Sequence, residues 1–94
     1  MTRRMILTTV AVFAVFSSIS VASVFMDANK DVERAMAAKT FEEAESPLRA
    51  AIQRYRLMIE SGVRNGYLYY NLGNCYMRIR DVGEAIYWYR MAER

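Results

Sequence analysis

NGYLYYNLGNCYMRIRDVGEAIYWYRMAER, residues 65–94, sets large and small side chains at spacings that two packed helices can use. Tyr69, Leu72, Gly73 and Tyr76 fall at i, i+3, i+4 and i+7, one face of a first helix; Ala85, Tyr89 and Ala92 fall at i, i+4 and i+7, one face of a second. Between them Arg80-Asp81-Val82-Gly83 reads as a short turn. A glycine inside a helix costs about 1 kcal/mol relative to alanine, so Gly73 implies close approach of the neighbouring helix, with a small residue such as Ala85 as the partner. The stretch therefore predicts an αα-hairpin.

Upstream, DANKDVERAMAAKTFEEAE from Asp27 to Glu45 contains no Gly or Pro and is rich in helix formers, which predicts a helix with Asp27 or Asn29 as its cap. Val32, Ala35 and Met36 share a face, with Phe41 and Ala44 offset from it. Ser46-Pro47 then predicts a new helix, Ser46 as N-cap and Pro47 in the first position, running to Gly62, whose freedom to adopt positive φ suits a helix end. Leu48, Ala51, Ile52, Tyr55, Leu57, Met58 and Ile59 give that helix its apolar side, and Arg49, Gln53, Arg54 and Arg56 its wet side. Asn65-Gly66 is a turn signal. A shift of about 34 residues takes Ala51 to Ala85, Ile52 to Ile86 and Tyr55 to Tyr89, so one helix is used twice. The same shift takes Gly73 to Lys39 and Tyr76 to Glu42, so the helix before it does not repeat residue by residue.

The N-terminus begins with Arg3-Arg4, continues as the apolar run MILTTVAVFAVF and ends in the more polar SSISVAS, the layout of a secretory signal peptide over residues 1–23. Small side chains at Ser20 and Ala22 suit cleavage before Ser23, and a cut after Ser23 is nearly as good. No charged residue occurs from Met5 through Met26, a length that as helix spans about 30 Å, so an uncleaved membrane anchor through residues 5–26 stands as the alternative. In both readings the basic start stays on the cytoplasmic side and the following helices lie outside the cytoplasm, periplasmic or membrane-anchored.

Charge excludes one class of partner. The chain carries 13 Lys and Arg against 10 Asp and Glu, and two of those cations are Arg3 and Arg4. The near-balance left over does not supply the clustered cations that nucleic acid requires. There is no histidine and a single cysteine, Cys75, so an internal disulfide is impossible and metal sites and imidazole-dependent nucleophiles lose their usual residues. Cys75 reads as a small buried residue, with an intermolecular disulfide as the competing reading. The carboxylates open to an enzyme, Glu42, Glu43, Glu45 and Glu60, have no partner groups for acid–base work and read as wet helix faces. The expectation is therefore no catalytic residue, no metal and no cofactor.

Taken together, Tyr69, Leu72-Gly73, Tyr76, Ala85, Tyr89 and Ala92 resemble the tetratricopeptide repeat, which sets a large aromatic, Leu-Gly, Tyr, Ala, an aromatic and Ala over two helices. The chain stops before the proline that usually closes the unit, and Arg80 stands where many repeats have Gly. The resemblance implies an all-α fold of antiparallel helix hairpins, the α-solenoid type, over residues 27–94, with a degenerate repeat at 27–62 and a unit lacking its end at 66–94. More narrowly, YNLGN following YRLMIESG and an export signal is similar to the exported repeat proteins of bacterial aerotolerance (Bat-type) operons. Such proteins are interaction modules, and the resemblance implies a groove along the first helix of each unit that holds protein or peptide segments. Residues of that helix not spent on packing are Tyr67, Tyr70, Asn74, Met77 and Arg78. In the competing reading the tyrosines and Met77 pack on the upstream helix and Arg78 is simply solvated. Repeat units bury their apolar faces by stacking, so the side of the last helix bearing Ile86, Tyr87 and Trp88 is expected to be covered by further chain or to self-associate. A membrane-anchored subunit with a short helical stalk is the alternative function.

Overall fold

The computed structural model describes residues 21–94, and among them the chain forms helices and no strand. Helix α1 runs through residues 21–37, α2 is Phe41–Glu60, α3 Gly66–Arg78 and α4 Val82–Glu93. The helix expected over Asp27–Glu45 is thus broken at residues 38–40, and the one expected to start at Pro47 starts six residues earlier. The cause is Thr40. Its side chain accepts from the Glu43 N–H at 3.2 Å, while the Glu43 carboxylate accepts from the Lys39 N–H at 3.2 Å. That reciprocal pair, close to a capping box, satisfies orphan donors at the start of α2 and outweighs the local signal of Ser46-Pro47. Pro47 consequently lies inside α2. Asp27 and Asn29 are likewise inside α1 and cap nothing.

The other ends follow from local chemistry. Gly62 at φ +105° ends α2, with the Val63 N–H donating to the Met58 carbonyl and the Gly62 N–H to the Ile59 carbonyl, a Schellman motif. Arg80 does the same after α3 at φ +69°, with Asp81 N–H to the Tyr76 carbonyl and Arg80 N–H to the Met77 carbonyl. Its guanidinium then lies 4.0 Å from the Phe41 ring centroid. The short turn is therefore residues 79–81, and Val82 and Gly83 already belong to α4, which Asp81 caps by accepting from the Glu84 N–H. Asn65 caps α3 through bonds from the Tyr67 and Leu68 N–H groups, so Gly66 is helical rather than part of a turn.

Each helix runs against the next. Asn29 meets Tyr55 and Asp31 meets Arg54 between α1 and α2; Arg56 meets Tyr76 between α2 and α3; Tyr69 meets Trp88 and Asn74 meets Tyr89 between α3 and α4. Leu48, Ala51, Ile52, Tyr55 and Met58 from α2 and Leu68, Tyr69, Leu72, Cys75 and Tyr76 from α3 form the core, closed by Ala28 and Ala35 on one side and Ala85 and Trp88 on the other. Leu57, expected on the apolar side of α2, is half exposed because it falls off the stripe that faces α3. Trp88 corrects the expectation for the last helix. At 8% exposure it faces inward one turn from Ala85, stacks on Tyr69 at 5.7 Å and donates its indole N–H to Glu84, leaving Val82, Ile86 and Tyr87 outside.

Asp31 is fully buried between α1 and α2 and is paired with Arg34 and Arg54. A buried carboxylate is tolerated only where its charge is answered, and two guanidiniums answer this one. The membrane or signal segment expected over residues 1–23 lies almost wholly outside the described residues. Among those described, no helix is long and apolar enough to cross a membrane.

Candidate functional site

At Gly73 a side chain of α4 lies directly against α3. A Cβ there would sit 2.7 Å from ring carbons of Tyr89. The close approach inferred from the glycine is real, but its partner is the Tyr89 ring rather than Ala85. That ring is held from two more sides, by Tyr70 at 5.7 Å between centroids and by a hydrogen bond of 2.6 Å from the Tyr89 hydroxyl to Asn74 Oδ1.

On the opposite flank of α3, a cleft of about 220 Å³ opens between α3 and α1. Tyr67, Asn71, Asn74, Cys75 and Arg78 line it from α3, Asn29, Val32 and Met36 from α1, and Tyr55 reaches its floor from α2. Three of the five candidate residues, Tyr67, Asn74 and Arg78, therefore come together. Tyr67 is 66% exposed and lies over the cleft mouth. Tyr70 and Met77 stand on the neighbouring stripe of α3, outside the cleft, with Tyr70 against Tyr89. Both are exposed, Tyr70 at 53% and Met77 at 42%.

Sequence reasoning missed Asn71, and a signal for it exists. Tyr67, Asn71, Asn74 and Arg78 recur at i, i+4, i+7 and i+11, a straight polar stripe down one helix. The α1 wall was not legible, because it depends on where α1 turns back and on which of its faces meets α3.

The electrostatics of the cleft are those of neutral amides and phenols and one cation. The Tyr55 hydroxyl donates to Asn29 Oδ1 at 2.8 Å, and burial, followed by the nearby Cys75, pushes that phenol up to about 12. Burial likewise pushes the Cys75 thiol up to about 11 and raises the Tyr89 phenol. A buried, protonated thiol is a poor nucleophile, so Cys75 acts here as a packing residue. Among the described residues no group of His, Cys, Asp and Glu is arranged to hold a metal ion. The acidic residues do not converge: Glu43 serves the α2 cap and Glu45 pairs with Arg49 at 3.0 Å.

Among the described residues, two further hollows lie away from the candidate residues. The larger, about 530 Å³, sits at the turn between α1 and α2 and is lined largely by small side chains such as Ala37, Ala38, Ser46 and Ala50. The other, about 370 Å³, is flanked by Arg49 and Arg56, which are engaged by Glu45 and by the Tyr76 hydroxyl. The α1–α3 cleft is thus the hollow that gathers the candidate residues. The chain matches no protein-family model, and no curated protein or solved structure is matched by it.

Proposed function

We propose that this chain is an exported, non-catalytic interaction module of the tetratricopeptide type that holds an extended segment of a partner protein in the cleft between α1 and α3, in an assembly of the Bat aerotolerance kind. The observation that supports this reading is the convergence of Tyr67, Asn74 and Arg78 with Asn29, Val32 and Met36 on one open cleft. Such a lining combines amide donors that suit a peptide backbone, a guanidinium that suits a carboxylate, and soft apolar area from Met36 and Tyr67. Panning random displayed peptides on the full chain tests it. Selected peptides should lose binding to Arg78→Glu and keep it for Arg90→Glu, an exposed site outside the cleft lining. Equal binding to both variants refutes the cleft as the site.

A second reading, a membrane-anchored structural subunit with the helices as a short stalk, is favoured by one observation. The helix passes unbroken through Ala22 and Ser23, and Val21, Val24 and Phe25 pack against the core. The mass of the mature protein separates the two: loss of the first 22 or so residues supports cleavage, and the full-length mass supports retention.

A further inference from the structure

Two tyrosines that are 34 residues apart do the same thing on the two walls of the cleft. Tyr55 on α2 donates its hydroxyl to Asn29 Oδ1 of α1 at 2.8 Å, and Tyr89 on α4 donates its hydroxyl to Asn74 Oδ1 of α3 at 2.6 Å. Both asparagines line the cleft. An asparagine side chain has one carbonyl acceptor and two N–H donors, and which end faces a ligand is decided by the bonds the other end makes. Here a phenol occupies the carbonyl end of each asparagine, which leaves the NH2 end to donate elsewhere. Arg78, which has donors only, lines the same cleft, as do Tyr67 and Asn71, which can also accept.

Resting on the peptide-cleft reading above, we infer that Tyr55 and Tyr89 are positioning residues that hold Asn29 and Asn74 as amide N–H donors beside Arg78, which favours partner segments rich in acceptors, namely acidic side chains and outward-facing backbone carbonyls. A ligand that presents donors at those points meets Asn29 and Asn74 NH2 groups and the Arg78 cation, and loses its own hydrogen bonds on entry. The phenols are well suited to the task. Tyr55 is 1% exposed, and the Tyr89 ring is wedged against Gly73 and Tyr70, so neither hydroxyl swings away readily.

The variants are Tyr55→Phe and Tyr89→Phe, which delete only the hydroxyl and keep the ring in its place. Heteronuclear NMR of the full chain in detergent reads the positioning without any ligand. Tyr89→Phe should move the side-chain NH2 resonances of Asn74 while the backbone spectrum stays put, and Tyr55→Phe should do the same for Asn29. Unmoved Asn NH2 resonances overturn the positioning role. Binding is then read with two labelled peptides, one of alternating Glu and Ala and one of alternating Lys and Ala. The wild type should prefer the acidic peptide, and each Phe variant should lower that preference about fivefold, the worth of one modest hydrogen bond. Acidic-peptide binding that is lost in Arg78→Ala but unchanged in both Phe variants overturns this inference and leaves the cleft reading intact. Binding of neither peptide, or binding that Arg78→Ala does not affect, overturns the cleft reading and this inference with it.

Discussion

Gly73 and Cys75 lie two residues apart on α3, on different faces of the helix, and illustrate how single side chains set the spacing of the bundle. At Gly73 two effects of Ala substitution oppose each other. Helix propensity favours Ala by about 1 kcal/mol. The added Cβ, 2.7 Å from two Tyr89 ring carbons, must displace a ring that is fixed by Tyr70 and Asn74, and such overpacking costs about 1–3 kcal/mol. Clash should win, so Gly73→Ala melts lower than wild type; an unchanged or higher melting temperature in a thermal scan refutes the contact. Cys75 and Tyr55 govern alkaline stability. Both hold their protons more tightly in the folded state, at about 11 against 9.0 for the thiol and about 12 against 10.0 for the phenol. Their contribution is therefore intact below pH 9 and is lost as pH rises from 9 through 11 for Cys75 and from 10 through 12 for Tyr55. For the buried thiol the full effect is about 2–3 kcal/mol. Cys75→Ala, less stable than wild type at pH 8 from its small cavity, should close the gap as urea titrations are moved toward pH 11.

At the level of elements, the ends of the helices carry the information that hydrophobic spacing does not. The start of α2 distinguishes two readings of Pro47. If Pro47 opened a helix, alanine there would lose a favoured first-position residue. Inside α2 it interrupts the ladder, so Pro47→Ala should restore the amide that can bond the Glu43 carbonyl and raise stability by about 1–3 kcal/mol in denaturant titrations. Arg80 poses a similar question at the turn into α4. Its positive φ costs a non-glycine residue about 1 kcal/mol, and its cation over Phe41 offsets part of that. Alanine keeps the strain and loses the stacking, whereas glycine loses both. Arg80→Gly should therefore be more stable than Arg80→Ala by about 1 kcal/mol, with wild type near the glycine variant.

Across the whole molecule, the two hairpins are related by more than the 34-residue shift seen between α2 and α4. Ala28, Asp31 and Ala35, all buried, stand 41 residues before Tyr69, Leu72 and Tyr76. The difference from 34 is two turns of helix, the length by which α2 begins ahead of Pro47's successor Leu48. The first hairpin thus presents small residues and a charge where the second presents large apolar ones. Asp31, in the place of Leu72, depends on Arg54 and on the largely exposed Arg34, 68% accessible at its side chain. Because those guanidiniums can return to water, Asp31→Ala should cost about 1–3 kcal/mol, below the penalty for a sealed ion pair. Asp31→Leu, which fills the space, should recover about 1 kcal/mol or more of that in the same melts.

Fold class and the second hairpin were legible in the sequence because they depend on local physics. The 3.6-residue period places Tyr69, Leu72, Gly73, Tyr76 and Ala85 on facing surfaces whatever the rest of the chain does, and all five are buried. The left-handed end at Gly62 is equally local. The boundary between α1 and α2 was decided by competition between two start signals six residues apart in sequence, Thr40 with Glu43 against Ser46 with Pro47. That contest is local too: the reciprocal bonds among Lys39, Thr40 and Glu43 start the helix, and the Thr-x-x-Glu spacing that carries them stands in the sequence. The site is different. Tyr67, Asn74 and Arg78 share a helical stripe, yet their opposing wall, Asn29, Val32 and Met36, joins them through the fold alone. The inward turn of Trp88 and the burial of Asp31 also belong to tertiary structure, because a side chain's environment is set by which neighbours arrive, and periodicity does not encode their arrival.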